Sequence, residues 1–438
     1  MTNTTRNARN TTNTKKTART GTTGNTGNTG NTEKAGTAHK THTLLGHLTV
    51  LISGASVAGP AFALNLARYG ARVTVVEKAP EPRAGGFAVD FRGRVHREVL
   101  TAMGIWDEIH ARQTHMGRQI VVDADGSPTV DLPSEMMSGD VEILRGDLAR
   151  IMYERTRDHV EYVFGDSIAT LTDTPHGVDV TFDRGRARRF DLVIGADGLH
   201  SRTRSLVFGD ESRHLRFLGH YVAGFAVPND LGLDRTGRLY SEPGRAIAVG
   251  NYGGDPDRAN ALLVFRSERL SFDRRDVAAQ KRILAERFAG MGWEAPHVLK
   301  ALETADDLYF DAIAQIHVDR LTEGRVALLG DAGYGATMGG MGTGVAVVGA
   351  YVLAGELALA GGDHRTAFAA YESRIRDFAK GCQKTSGNAG PFFAPPTERR
   401  IRSRDRMYRL LASRPLAAFF KRITEKSATN IRLPEYPG

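Results

Sequence analysis

The first residues that could do chemistry in this chain are small ones. Gly54-Ala55-Ser56-Val57-Ala58-Gly59 lies between an apolar run, Leu48 to Ser53, and a stretch of helical spacing, Pro60 to Tyr69. Glycine at 54 permits a tight turn, and glycine at 59 permits close helix–strand packing. The helix start would then offer free N–H groups and a positive dipole end to a pyrophosphate. Ser56 stands where the middle glycine of such a turn is expected. Its side chain narrows the approach, although its hydroxyl can itself donate to phosphate. Glu77 ends the next β-branched run, 18 residues after Gly59, with Lys78 behind it. A carboxylate there accepts hydrogen bonds from an adenosine ribose. Each feature alone also suits an ordinary strand–helix turn or a surface glutamate. Together they point to an unphosphorylated adenine dinucleotide held by Gly54, Ser56, Val57, Ala58, Gly59, Glu77 and Lys78.

Two further motifs follow. One is Asp191-Leu-Val-Ile-Gly-Ala-Asp-Gly-Leu-His-Ser-Arg-Thr-Arg204. The other is Gly324-Arg-Val-Ala-Leu-Leu-Gly-Asp-Ala332, with Gly339-Gly-Met-Gly-Thr-Gly344 beyond it. Asp331 follows a buried-type strand where a carboxylate can accept from hydroxyls; a helix cap is a compatible reading. The second loop holds four glycines in six residues and opens a helix, Val345 to Leu359. Glycines so placed favour close approach of a ligand to backbone N–H groups.

All three motifs, in this order, resemble those of the class A flavoprotein monooxygenases, the family of para-hydroxybenzoate hydroxylase and the tetracycline-inactivating monooxygenases. The resemblance covers roughly residues 48–435. It implies FAD as cofactor, NADPH or NADH as a transient co-substrate, and O2. It further implies a flavin C4a-hydroperoxide that hydroxylates an aromatic or polycyclic small molecule, with ring-carbon insertion, Baeyer–Villiger chemistry and ring N-oxidation all open. In similar proteins the aspartate matching Asp331 holds the ribityl and pyrophosphate region. Gly339, Gly340, Met341, Gly342 and Thr343 would lie at the flavin edge, where N–H donors stabilise negative charge. Asp197 would support the pyrophosphate region. Arg204 is the candidate for NAD(P)H, against a solvated helix residue. Arg145, in Leu144-Arg-Gly-Asp-Leu148, resembles the arginine beside the FAD phosphates. Gly85 to Gly93 resembles the stretch under the flavin, which makes Asp90 and Arg92 flavin-side candidates; an internal ion pair is the other reading. Tyr334 replaces the family's usual histidine, Met338 stands near its usual proline, and the loop is one residue short. FAD binding survives these departures, while the flavin-edge geometry is less defined.

Two rival readings are a non-oxygenating flavin reductase or dehydrogenase, and a flavin-binding accessory protein without turnover. A flavin halogenase lacks support, because its Trp-x-Trp motif is absent and Trp106 and Trp293 are the only tryptophans. There is no His-Glu-x-x-His, no Ser–His–Asp order and no paired-cysteine spacing, so no metal site is expected.

These residues need elements to position them. Parallel-type strands near both ends enclose antiparallel-type strands. The expectation is an α/β chain: a doubly wound, Rossmann-like FAD-binding domain (44–118, 140–213 and 313–382), an inserted, mostly antiparallel β-sheet substrate domain (119–139 and 214–312), and a C-terminal helical segment (383–438). A hairpin should turn at Asp125-Gly126, and one helix should span Val277 to Met291. Substrate candidates are Tyr221, Phe225 and Tyr240, with His220, Phe265 and Phe310. Aromatics at alternating strand positions equally form core.

The chain has 438 residues and a formal charge of +8. Residues 1–43 carry seven Lys/Arg and one Glu, a net of +6, which leaves only +2 for the rest. That low-complexity tail reads as disordered, and the near-neutral body argues against nucleic acid as a partner. Cys382 is the only cysteine, so no intrachain disulfide forms. No apolar run reaches the roughly 18 residues of a membrane span, and the basic N-terminal stretch lacks the apolar core of a secretory signal. The expected setting is cytoplasmic, away from membranes, as a monomer or homodimer.

Overall fold

Strand Thr49–Ser53 sits near the centre of a six-stranded sheet, between Leu192–Gly195 and Arg72–Glu77. Its neighbours are parallel, with Ile52 beside both Ile194 and Val75. Strands Val326–Leu328 and Glu161–Phe164 extend the parallel sheet, and Thr322–Glu323 adds a short antiparallel edge. The computed structural model describes residues 44–82, 86–132, 139–252, 255–338, 342–387, 389–412 and 430–437. The expected low-complexity tail and the loop residues Gly339, Gly340 and Met341 lie outside the described residues.

Alternation along Val50-Leu51-Ile52 sends side chains to two different layers. Val50 and Ile52 join a core formed with helices Ala58–Arg68, Arg145–Thr156, Gly342–Leu359 and His364–Ser386. Leu51 faces the other way, onto a three-stranded antiparallel sheet of Ile168–Thr174, Gly177–Phe182 and Arg188–Phe190. The fold is therefore of the expected α/β kind, with one covering layer built from a β-meander rather than from helices.

A seven-stranded sheet forms the second body of strands. Its order is Tyr309–Ile316, Leu215–Pro228, Arg258–Arg266, Arg245–Gly250, Gly237–Glu242, Gln119–Val122 and Pro128–Leu132. All neighbours are antiparallel except Gly237–Glu242 with Gln119–Val122. The last strand runs to Ile316, past the boundary expected at 312. The expected hairpin is present, and Gly126 takes a positive φ of 80° at its turn. Two helices, Val277–Phe288 and Ala295–Thr304, cover the outer face where one was expected. Pro296 sits at the start of the second, where its missing N–H costs nothing. A short antiparallel ribbon, Ala88–Phe91 with Val141–Leu144, adds a further pair.

Helix Gly342–Leu359 is long and apolar enough to cross a membrane, yet 78% of it is buried inside the protein. Its Glu356 pairs with Arg374 at 2.6 Å and accepts from the Tyr436 hydroxyl at 2.8 Å. Counting uninterrupted apolar residues misses it, because Thr343 and Glu356 interrupt a helix whose average is apolar.

Gly54 adopts φ 109°, and a Cβ there would meet the Ala196 carbonyl oxygen at 2.4 Å. A Cβ on Gly59 would lie 1.9 Å from the Gly54 carbonyl oxygen. Gly59→Ala must therefore push helix from strand. The expected loss is about 1–3 kcal/mol or more, read as a lower urea midpoint together with weaker FAD binding. An unchanged midpoint would contradict this packing.

Candidate functional site

The turn after the first strand is held by the acid at the end of the next. Glu77 accepts from the Ala55 N–H at 2.8 Å and the Ala79 N–H at 2.9 Å. Glu77 thus shapes the glycine turn and stands beside it. Lys78 is exposed just beyond. Val57 and Ala58 begin the helix, whose first turn is buried.

Arg145 comes to the same turn from the first position of its helix. One of its terminal nitrogens donates to Ser56 Oγ at 2.9 Å. The side chain is exposed and has no carboxylate partner among the described residues. Its own N–H bonds the Phe87 carbonyl at 3.1 Å, so the Phe87 segment is tied to it. A fixed, unpaired guanidinium beside a helix start is suited to phosphate oxygens.

Asp331 approaches from the third side. Gly330 brings it there: a Cβ on Gly330 would lie 2.9 Å from Ala58 Cβ and 3.3 Å from Ala346 Cβ. Burial raises the Asp331 carboxyl above its ordinary range, and the nearby Arg145 opposes that rise. A Cβ on Gly342 would lie 3.6 Å from Asp331 Oδ1, so the start of the long helix, with Thr343, adjoins it. Ser56, Arg145, Asp331 and Gly342 therefore converge from four parts of the chain.

Other expected residues have different roles. Asp197 accepts from the Ser201 hydroxyl at 2.5 Å and from the Thr203 N–H and hydroxyl at 2.9 and 3.0 Å, which organises its own loop. Arg204 is 0% exposed and donates to the Ala332 and Leu199 carbonyls at 2.9 and 2.8 Å. It ties the Asp-Gly loop to the Asp331 segment. A fully enclosed side chain has no surface for a transient nicotinamide, nor is it the solvated residue of the other reading. Asp90 and Arg92 form an ion pair, as one of their two readings has it.

The substrate candidates sit behind the sheet. Tyr221, Phe225 and Tyr240 belong to the layer packed under Leu284, Phe288 and Leu302 of the two covering helices. Tyr221 also accepts from the Leu270 N–H at 2.8 Å, and the Tyr240 hydroxyl donates to Glu242 at 3.0 Å. The opposite face carries Val222, Leu262, Tyr309, Met338 and Phe392. Phe87 lies against that face at Gly224, where a Cβ would meet its ring at 2.0 Å. Tyr309 meets Phe87 edge-on at 5.8 Å and is close enough to Arg145 and Asp331 for their charges to act on its phenol. Sequence alternation separates the two faces without saying which one a helix covers. Tyr334, in the place of the family histidine, is buried with its hydroxyl against Tyr371 at 3.3 Å.

Glu142 went unnoticed in the sequence. It stands opposite Asp90 in the ribbon and accepts from the Thr114 hydroxyl at 2.7 Å. Burial pushes its carboxyl up to about 7. Only the motif-adjacent run Val141-Glu-Ile-Leu144 hinted at it, as an acid inside an apolar strand.

Comparison with known proteins agrees with this geometry. Residues 47–214 match the model of an FAD binding domain. A flavin-dependent monooxygenase of Legionella longbeachae is 38% identical over 77% of this chain and 87% of its own length. An uncharacterised Mycobacterium tuberculosis protein is 44% identical over 76% of this chain and 91% of its own. The crystal structure of the tetracycline destructase Tet(51) has a TM-score of 0.78 at 33% identity, over 89% of this chain and all of that one. Tet(55) gives 0.75 at 36%, over 88% and 98%. The chain thus belongs to the FAD-binding flavin-dependent monooxygenases, and is an enzyme of that class. The cofactor fits the residues present: an unpaired guanidinium, a desolvated carboxylate and two glycines that leave room for it.

Two outcomes follow for this site. Arg145→Ala should weaken FAD binding about ten-fold or more, since charged hydrogen bonds contribute roughly 1.5–3 kcal/mol; flavin fluorescence quenching measures it, and unchanged affinity would contradict the assignment. For Glu142 the folded carboxyl is raised above its unfolded value of 4.5. Its contribution is full below pH 4.5 and is lost as pH rises through about 7. Glu142→Gln should flatten that decline in a series of urea melts against pH, and an identical profile would count against it.

Proposed function

We propose that this enzyme uses FAD, NADPH or NADH, and O2 to hydroxylate a flat aromatic or polycyclic small molecule. One observation carries the reading: an apolar, aromatic face stands beside the Arg145–Asp331 cleft, with Phe87 on Gly224 and Tyr309 edge-on to it. Such a face suits a planar apolar ligand. Bound FAD supplies electron storage and oxygen activation.

The protein's share is binding and exclusion of water. The Gly54–Gly59 turn and Glu77 hold the adenosine half. Arg145 and Ser56 serve the phosphates, and Asp331 accepts from the ribityl hydroxyls. The start of the long helix at Gly342 and Thr343 would favour negative charge at the flavin edge; Gly339, Gly340 and Met341, which lie outside the described residues, are candidates for the same role. Asp90 and Arg92, beside Phe87, flank the same region. The parallel-sheet unit is the cofactor domain and the seven-stranded sheet the substrate domain. Substrate contacts move from Tyr221, Phe225 and Tyr240 to the opposite face, at the partly exposed Leu262, Tyr309, Met338 and Phe392. The nicotinamide binds transiently at the cleft mouth, and the protein works in the cytoplasm.

Similarity to the tetracycline destructases makes tetracyclines the first substrates to try. Purified protein with FAD, NADPH or NADH, and 18O2 should convert a tetracycline or another phenolic polycycle to a product carrying one labelled oxygen atom. Nicotinamide oxidation across a panel of such compounds, with no label in any organic product, would favour the reductase reading instead.

A further inference from the structure

His200 in the Asp-Gly loop joins two carboxylates from separate elements. Its Nε2 lies 3.0 Å from Asp311 Oδ1 on strand Tyr309–Ile316. Its Nδ1 lies 2.9 Å from Glu211 Oε2 in the single turn Glu211–Arg213. Arg274 also touches this Nδ1 and reaches Glu211 at 3.5 Å. Arg204 reaches Glu211 at 3.5 Å from within, and Arg269 adds positive charge near it.

The Arg274 side chain is 48% exposed, His200 26%, Glu211 20% and Asp311 15%, so the ring is more open to solvent than either carboxylate and Asp311 is the most enclosed of the three. Asp311 shares a strand face with Tyr309, two residues away. Tyr309 is the ring that meets Phe87 near Arg145 and Asp331. The imidazole is thus the more open end of the cluster and Asp311 its enclosed end, on the side of the cleft.

We propose that Glu211, His200 and Asp311 form a proton conduit between solvent and the cofactor cleft. The need for one rests on the proposed function. Hydroxylation by that reading is NAD(P)H + O2 + R–H + H⁺ → NAD(P)⁺ + R–OH + H2O, so one proton enters per turnover. A proton from solvent reaches Nδ1 beside Glu211. The Nε2 proton passes to Asp311 Oδ1, and the Asp311 proton passes on to the cleft. No charge accumulates, and the partly exposed ring resets its tautomer through water. Burial lifts the Asp311 carboxyl to about 6, which lets it exchange protons near neutral pH, and burial likewise raises Glu211 above its ordinary range. A histidine is suited to this task because it gains and loses a proton in the same range.

The test needs neither nicotinamide nor substrate. FAD-bound protein is photoreduced without air and mixed with oxygen in weak buffer holding a pH indicator. Anionic reduced FAD takes up one proton per molecule as O2 oxidises it and hydrogen peroxide leaves. His200→Ala should slow colour return and proton uptake together, roughly ten-fold or more. Added imidazole should restore both, with substituted imidazoles ranked by their basicity. Asp311→Asn should slow both without rescue. Should His200→Ala fail to fold, His200→Gln keeps a donor to Asp311 and should be equally slow. A second readout uses FAD-free protein: the His200 ring 15N signals should show exchange between the two tautomers and shift in Asp311→Asn. Wild-type rates in His200→Ala and Asp311→Asn, or a ring locked in one tautomer, would overturn the conduit. Slow variants here with no labelled product above would remove the hydroxylation reading and leave the conduit standing.

Discussion

Everything in the cleft depends on how closely one helix approaches one strand. Gly59 sits so near the Gly54 carbonyl that no side chain fits between them. That contact sets the direction of the helix Ala58–Arg68 and brings Ser56 toward Arg145. Glu77 fixes the turn from the other side through the Ala55 N–H. Gly330 then seats against Ala58 and carries Asp331 inward. A backbone contact, rather than any charged pair, locates the binding groups.

The electrostatics follow from that placement. Arg145 stays exposed and unpaired by acids among the described residues, while Asp331 loses solvent and is raised. Each is left incomplete by the protein alone. A ligand with anionic phosphates beside neutral hydroxyls completes both, which is the chemistry along a flavin dinucleotide. Arg204 is the contrasting case. Its two terminal nitrogens are taken by the Ala332 and Leu199 carbonyls inside the fold, and Glu211 lies 3.5 Å away, so the side chain ties two loops together.

Local patterns in the sequence revealed the parallel sheet and the glycine turn, and singled out Ser56, Glu77, Arg145 and Asp331, which the structure gathers around that turn. Glu77 and Arg145 were readable because strand end and helix start put them at predictable places. Long-range facts were not readable. Period-two alternation identified Tyr221, Phe225 and Tyr240 as core-type positions, but of the two helices that cover them the second, Ala295–Thr304, follows Glu294 and carries Pro296 in its first turn, so its sequence looks like a loop. Arg204 looked solvent-facing because nothing local shows that two carbonyls distant from its terminal nitrogens in the chain or across a turn would enclose it. His200 gained its meaning only from Asp311, which is 111 residues away.

We infer that the adenosine half of FAD occupies the Gly54–Gly59 turn beside Glu77. Competition by ADP-ribose, followed through the fluorescence of FAD added to the cofactor-free protein, is the direct test of this placement. ADP-ribose should displace FAD with one-to-one competition, and riboflavin at the same concentration should do so far less. FAD that stays bound in saturating ADP-ribose, or that never binds, would contradict it.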